Sequence, residues 1–186
     1  PHPGIDEAML PLVDWVTVPT MTLAGRYPHH AVTVIPDRHD LNLYTRQKVH
    51  EGPLRWVCWF GYSVNAAAFY RWLPEIRHLR LRLKVISEKS CPWAHRSVRW
   101  NWQTAFDEIL ETDVVINPPK SVYQSDNKTV MAKLLNMPVA ETVKELYHFA
   151  DGANRNVVLD RSVYDVRRSV EQYQQLIGQL QTAAVC

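Results

Sequence analysis

Leu54-Arg55-Trp56-Val57-Cys58-Trp59-Phe60-Gly61 decides the fold. Apolar apart from Arg55 and stopped by Gly61, it reads as a strand. Asn65 to Leu79 follows with Ala68, Phe69, Trp72, Leu73 and Ile76 at helical spacing, and Leu81 to Ser87 is a second apolar run. Residues 54–87 therefore read as one βαβ unit.

The same alternation continues toward the C-terminus. Ser97 to Trp102 is strand-like, Thr104 to Leu110 helical, and Asp113-Val114-Val115-Ile116-Asn117 a strand. Thr129 to Leu135 and Pro138 to Ala140 add a helix and a strand, and Val143 to Ala150 a short helix. Val157-Val158-Leu159 is expected to be a terminal strand. Val163 to Leu180 is expected to be a long helix packing through Tyr173, Leu176, Ile177 and Leu180.

Toward the N-terminus, Asp14 to Val18 and Ala31 to Ile35 read as strands around a brief helix or turn from Met21 to Tyr27. Residues 38–53 are polar, contain Gly52-Pro53, and read as a loop with one helical turn that adds nothing to the core. The expected fold class is α/β: a single Rossmann-like domain with a mostly parallel sheet covered by helices. Residues 1–53 supply leading strands and a connecting loop of that domain, 54–162 its core, and 163–186 a C-terminal helix.

Composition narrows the function classes. The 186 residues are 46% hydrophobic and 22% charged, with 21 basic against 19 acidic side chains. A chain of this length hides roughly 70% of its unfolded surface, so a full core is expected. The near-balanced charge disfavours nucleic acid as partner. The basic run Arg77 to Lys84 reads as a helix end running into a strand. Cys58, Cys91 and Cys186 are too widely spaced for a disulfide framework or zinc knuckle, so no metal is assigned and a reduced, cytoplasmic compartment is expected. There is no apolar span long enough for a membrane helix and no leader pattern; peripheral membrane contact is permitted, with no feature that calls for it. Pro1-His2-Pro3-Gly4 lacks an initiator methionine, consistent with processing or with a piece of a longer chain.

Candidate binding residues cluster at one edge of the expected sheet. In an open parallel sheet, ligands sit outside the carboxyl ends of the strands. Gly61, followed by Asn65 at a helix start, lies at one such end, Lys89 after the next strand, and Asn117 and Lys120 after another. Ser125-Asp126-Asn127-Lys128-Thr129 opens the helix that follows, where free N–H groups and Lys128 suit a phosphate. Glu141 and Glu145 follow the next strand, where a carboxylate suits either a bound sugar or ribose or the N-terminus of the following helix. No GxGxxG or P-loop is present. His29, His30 and His95 lack triad or metal-ligand spacing, and no catalytic residue is assigned.

Taken in order, these pieces resemble the C-terminal, donor-binding domain of GT-B glycosyltransferases, in particular the large retaining group numbered family 4. The resemblance rests on Asp14 to Thr20, Val32 to Asp37, Trp59-Phe60-Gly61 with Asn65, Asp113 to Pro118, and Ser125 to Val139. It implies a nucleotide-diphosphate sugar as donor substrate, no further cofactor, and retention of anomeric configuration. It also implies donor contacts from Gly61, Asn65, Lys89, Asn117, Asn127, Lys128, Thr129 and Glu141. An N-terminal Rossmann-like domain or a partner would supply the acceptor site, since residues 1–53 are too few to form that half. Two positions depart from the pattern: Met131 stands where a ribose-binding carboxylate is usual, and Asn136 where a glycine is usual. The alternative is a non-catalytic Rossmann-like protein-interaction or regulatory domain using the tryptophan-rich cleft or the 77–84 face.

Overall fold

A computed structural model describes residues 8–119, 126–152 and 154–183. It is α/β, with a five-stranded, all-parallel sheet flanked by helices. The leading strands β1 (Trp15–Val18) and β2 (Ala31–Val34), joined through helix α1 (Met21–Ala24), pair in parallel as a separate two-stranded sheet. The large sheet then begins with β3 (Trp56–Phe60), followed by α2 (Ala67–Tyr70), α3 (Leu73–His78), β4 (Arg82–Ser87) and β5 (Arg96–Arg99). Next come α4 (Ala105–Leu110), β6 (Val114–Ile116), α5 (Asn127–Leu134), β7 (Val139–Ala140), α6 (Val143–Ala150) and α7 (Val166–Ala183). Its strand order is β5-β4-β3-β6-β7.

The strand at 56–60 is apolar without alternation because both its faces are covered. Val57 and Trp59 join Leu83, Val85, Val114 and Ile116 on one face, beneath Phe69, Trp72, Ile76 and Leu146 of the helices. Cys58 and Phe60 join Ile86 and Val115 on the other, against Ile109, Val130 and Leu134. The Asp113 carboxylate anchors the start of β3 by accepting the Arg55 and Trp56 backbone N–H groups, each at 2.9 Å.

Several elements differ from the sequence reading for identifiable reasons. The helix expected over 65–79 is broken into a 3-10 turn (Ser63–Asn65), α2 and α3, with Pro74 in the first turn of α3; a proline has no N–H and disfavours helix in the residue before it. The strand expected over 97–102 runs only from Arg96 to Arg99, and it follows β4 without an intervening helix. Instead the Leu83 N–H donates to His95 Nδ1 and the Cys91 N–H to Ser97 Oγ, fixing an irregular crossover. Val157-Val158-Leu159 is not a strand: Val158 is 99% exposed, and the Val157 N–H donates to the Asn136 side chain rather than to a sheet partner. The 38–53 segment does enter the core, through Tyr44, which is buried and stacks on Phe106 at 4.9 Å. Asn136 takes the left-handed backbone that the sequence asks of it, with φ 58°.

The run 77–84 is a helix end leading into a strand, but Lys84 turns inward. It is 2% exposed, and its Nζ donates to the Glu108 carbonyl at 2.9 Å, the Glu108 carboxylate at 3.0 Å and the Glu111 carboxylate at 2.6 Å. Arg96 closes the network from outside, at 3.0 Å from Glu108 and 2.7 Å from Glu111. Of the four residues expected to pack α7, only Leu176 is buried. Tyr173, Ile177 and Leu180 are exposed, as are Val166 and Val170, two turns and one turn before Tyr173. The first half of α7 is held to the segment after β2, with Arg38 donating to Ser169 and Gln172 and the Val166 N–H to the His39 carbonyl. No helix among the described residues is long and apolar enough to cross a membrane.

Candidate functional site

The chain lays down β3 in the middle of the sheet, runs outward through β4 and β5, and returns to β6 on the other side. At that reversal the connections after β3 and β6 leave in opposite directions and open a crevice at the carboxyl edge. A cleft of about 470 Å³ lies there, a size ordinary for a small-molecule site. Gly61, Asn65, Glu88, Asn127 and Lys128 supply most of its polar lining; Phe60, Trp100, Trp102 and Met131 make the apolar wall.

Gly61 is required where it stands. Its φ is 144°, a conformation that side-chain-bearing residues rarely adopt, and a Cβ there would collide with Lys128 Nζ and lie 2.9 Å from Lys128 Cε. The missing side chain leaves a notch, and the Lys128 ammonium fills it, 4.9 Å from the centroid of the Trp59 ring. The first turn of α5 thus delivers a cation to the end of β3.

Glu88 faces the same cleft but is committed to the loop. Its carboxylate accepts the Ser63 N–H at 2.9 Å, the Ser63 hydroxyl, and the Ser87 hydroxyl at 2.8 Å. The Ser63 hydroxyl is the main cause that lowers its pKa to about 2, with the Ser87 hydroxyl and backbone N–H groups adding to it. A folded value below the unfolded one means that the contribution is present above the ordinary carboxylate range and is lost as pH falls toward about 2. The Ser63 amide resonance is therefore expected to titrate near pH 2 in the folded protein. A midpoint near the ordinary ~4.3 would count against a locked loop.

The expected site residues separate into two groups. Gly61, Asn65, Asn127 and Lys128 come together in the cleft. Asn117, Thr129 and Glu141 do not line it; they form a relay in which Asn117 Nδ2 donates to Thr129 Oγ1 at 3.1 Å and Thr129 Oγ1 to Glu141 Oε1 at 2.8 Å. Asn117 and Thr129 are buried, so this relay ties the end of β6, the first turn of α5 and the end of β7. Lys89 is exposed in the turn after β4, outside the cleft lining among the described residues. Lys120 and Ser125 lie outside the described residues.

Sequence reasoning raised a tryptophan-rich cleft only for the alternative reading and assigned no tryptophan to the donor site. Phe60 stacks on Trp100 with centroids 6.1 Å apart, and Trp100 meets Trp102 edge-on at 5.1 Å, a chain of rings from core to rim. Trp102 is 67% exposed. A second depression of about 650 Å³, lined by residues 99–104, borders the cleft at these two tryptophans. The available signal was Arg99-Trp100-Asn101-Trp102, large rings alternating with polar residues just after a strand.

Other reactive side chains are turned to structure. Burial pushes the Cys58 thiol up to about 12, which keeps it protonated and a poor nucleophile. His30 bonds to the Leu10 carbonyl and His95 to the Leu83 N–H. Among the described residues no three His, Cys, Asp or Glu side chains converge as metal ligands. In comparison with known proteins, the chain matches no family model and no curated protein.

Proposed function

We infer that the cleft holds the diphosphate of a nucleotide sugar, and that this chain is the donor-binding half of a retaining glycosyltransferase. The observation that carries the reading is the Lys128 ammonium seated in the Gly61 notch at the point where the sheet reverses. A leaving diphosphate needs positive charge and N–H donors where its own charge develops. Lys128 and the start of α5 provide these, and Asn65 and Asn127 add neutral donors beside them. The rings of Trp100 and Trp102 offer flat faces for the nucleoside or sugar.

The acceptor side belongs to a second α/β unit, supplied by a longer parent chain or a partner. Parallel sheets are stable when extended and covered on both faces. β1 and β2 form only a pair among the described residues, and α7 carries the exposed apolar stripe Val166, Val170, Tyr173, Ile177 and Leu180. Both features suit burial by such a unit. Widely spaced cysteines, with Cys58 and Cys91 free, fit a cytoplasmic setting.

A second reading, a peptide-binding or regulatory domain, draws on the exposed rings of Tyr62 and Trp102 at the rim. The 77–84 run supports it less, because Lys84 is withdrawn into the core. A calorimetric screen of nucleotide sugars against this chain separates the two. Saturable binding that a free nucleoside diphosphate competes away supports donor recognition; no binding by the folded protein favours the peptide reading.

A further inference from the structure

The geometry points to Trp59 as the residue that positions the Lys128 ammonium for the ligand's diphosphate, an inference that rests on the diphosphate reading of the cleft. Trp59 is buried in β3 and does not line the cleft, so it acts through Lys128 rather than on the ligand. Three pieces meet at one point. The end of the Lys128 side chain enters the space that Gly61 leaves, and Trp59 Cζ2 lies 3.5 Å from where a Gly61 Cβ would be. The Lys128 ammonium lies over the indole, 4.9 Å from its centroid.

A lysine side chain is otherwise a flexible four-carbon stem, and holding it still for a ligand costs entropy. The face of an indole attracts a cation more strongly than that of a phenyl ring. The tryptophan thus prepares the cation before the ligand arrives, and the ammonium stays on the ring when a diphosphate binds.

A double-mutant cycle on the full chain tests this, with inorganic pyrophosphate as the calorimetric probe. Trp59→Leu is expected to weaken pyrophosphate binding about fivefold, and Trp59→Phe by less, because a weaker π-face is kept. In a Lys128→Met background, Trp59→Leu is expected to change affinity by no more than about twofold. Equal losses in both backgrounds would assign Trp59 a packing role only, and a gain in affinity on Trp59→Leu would mean that the ring competes with the ligand; either result overturns the inference. A second readout needs no ligand. The Lys128 ε-methylene protons are expected to be shifted upfield by the indole ring current in the unsubstituted chain and not in the single Trp59→Leu variant, and unshifted protons in the unsubstituted chain would overturn the positioning role. If the unsubstituted chain binds no pyrophosphate, the diphosphate reading falls and takes this role with it. Binding without coupling removes the role alone.

Discussion

Replacing Lys84 by methionine is expected to lower the free energy of unfolding by about 3 kcal/mol, the lower part of the range for breaking a buried ion pair. The cost arises because Glu108 and Glu111 lose the cation between them while Glu108 stays largely shielded, with a side chain 17% exposed. Arg96 remains beside both carboxylates, and this holds the effect at the low end. Arg96→Ala should cost less than about 1 kcal/mol, since that side chain is 46% exposed and its ion pairs are screened by solvent. Urea denaturation gives both values, with the slope unchanged if the transition stays two-state. A loss below about 1 kcal/mol for Lys84→Met would contradict the buried network.

The same substitution carries a pH signature. The Glu111 carboxyl is held below its ordinary value, chiefly by the hydrogen bond from Lys84 and further by the charges of Lys84 and Arg96. A depressed folded value stabilises above the unfolded carboxylate range and is lost as pH falls through the folded value. The gap between the unsubstituted protein and Lys84→Met should therefore be full at neutral pH and narrow below roughly pH 4. A gap that widens in acid would reverse the assignment.

Lys128→Met is expected to weaken nucleoside-diphosphate binding about tenfold to a hundredfold, the range for losing a hydrogen bond to a charged group. Lys89→Met, whose side chain stands outside the cleft, should change the affinity by less than about twofold beyond a salt-dependent contribution. A lysine with structural partners would not serve as this control: Lys48 Nζ, for example, donates to the Leu110 carbonyl at 3.0 Å and lies 3.7 Å from Asp113. Comparable losses for Lys128→Met and Lys89→Met would point to diffuse charge attraction rather than a seated ammonium.

The parts of the fold that could be read from sequence are those where one local signal dominates. The non-alternating runs at 56–60 and 114–116 announce strands buried on both faces, and repetition of strand and helix announces the parallel sheet. Thr142 with Glu145 closes a capping box, so the helix over 143–150 begins where its periodicity says. Asn136, a residue type that tolerates positive φ, takes a left-handed turn after α5.

What was hidden depends on long-range partners. Nothing near Lys84 in the sequence reveals that Glu108 and Glu111 will meet it inside the protein. Tyr44 sits in a polar segment and is buried by distant partners, Phe106 on its ring and the cluster around Ile109 and Val130. The site was legible by halves for the same reason. Strand ends located Gly61 and Lys128, but Asn117, Thr129 and Glu141 satisfy one another outside the cleft lining. The Trp100 and Trp102 wall emerges only when β5 stops at Arg99 and releases them to the sheet edge.

The most direct test is resonance mapping of the chain during titration with nucleoside diphosphates and their sugar conjugates. The expected result is saturable shifts of the Gly61, Asn127 and Lys128 amides and of the Trp100 and Trp102 indole N–H signals, with α7 unmoved. Saturable binding that shifts α7 or the β1–β2 pair and leaves Gly61 and Lys128 unchanged would contradict a diphosphate site at the sheet reversal, as would a folded protein that responds to none of the nucleotides.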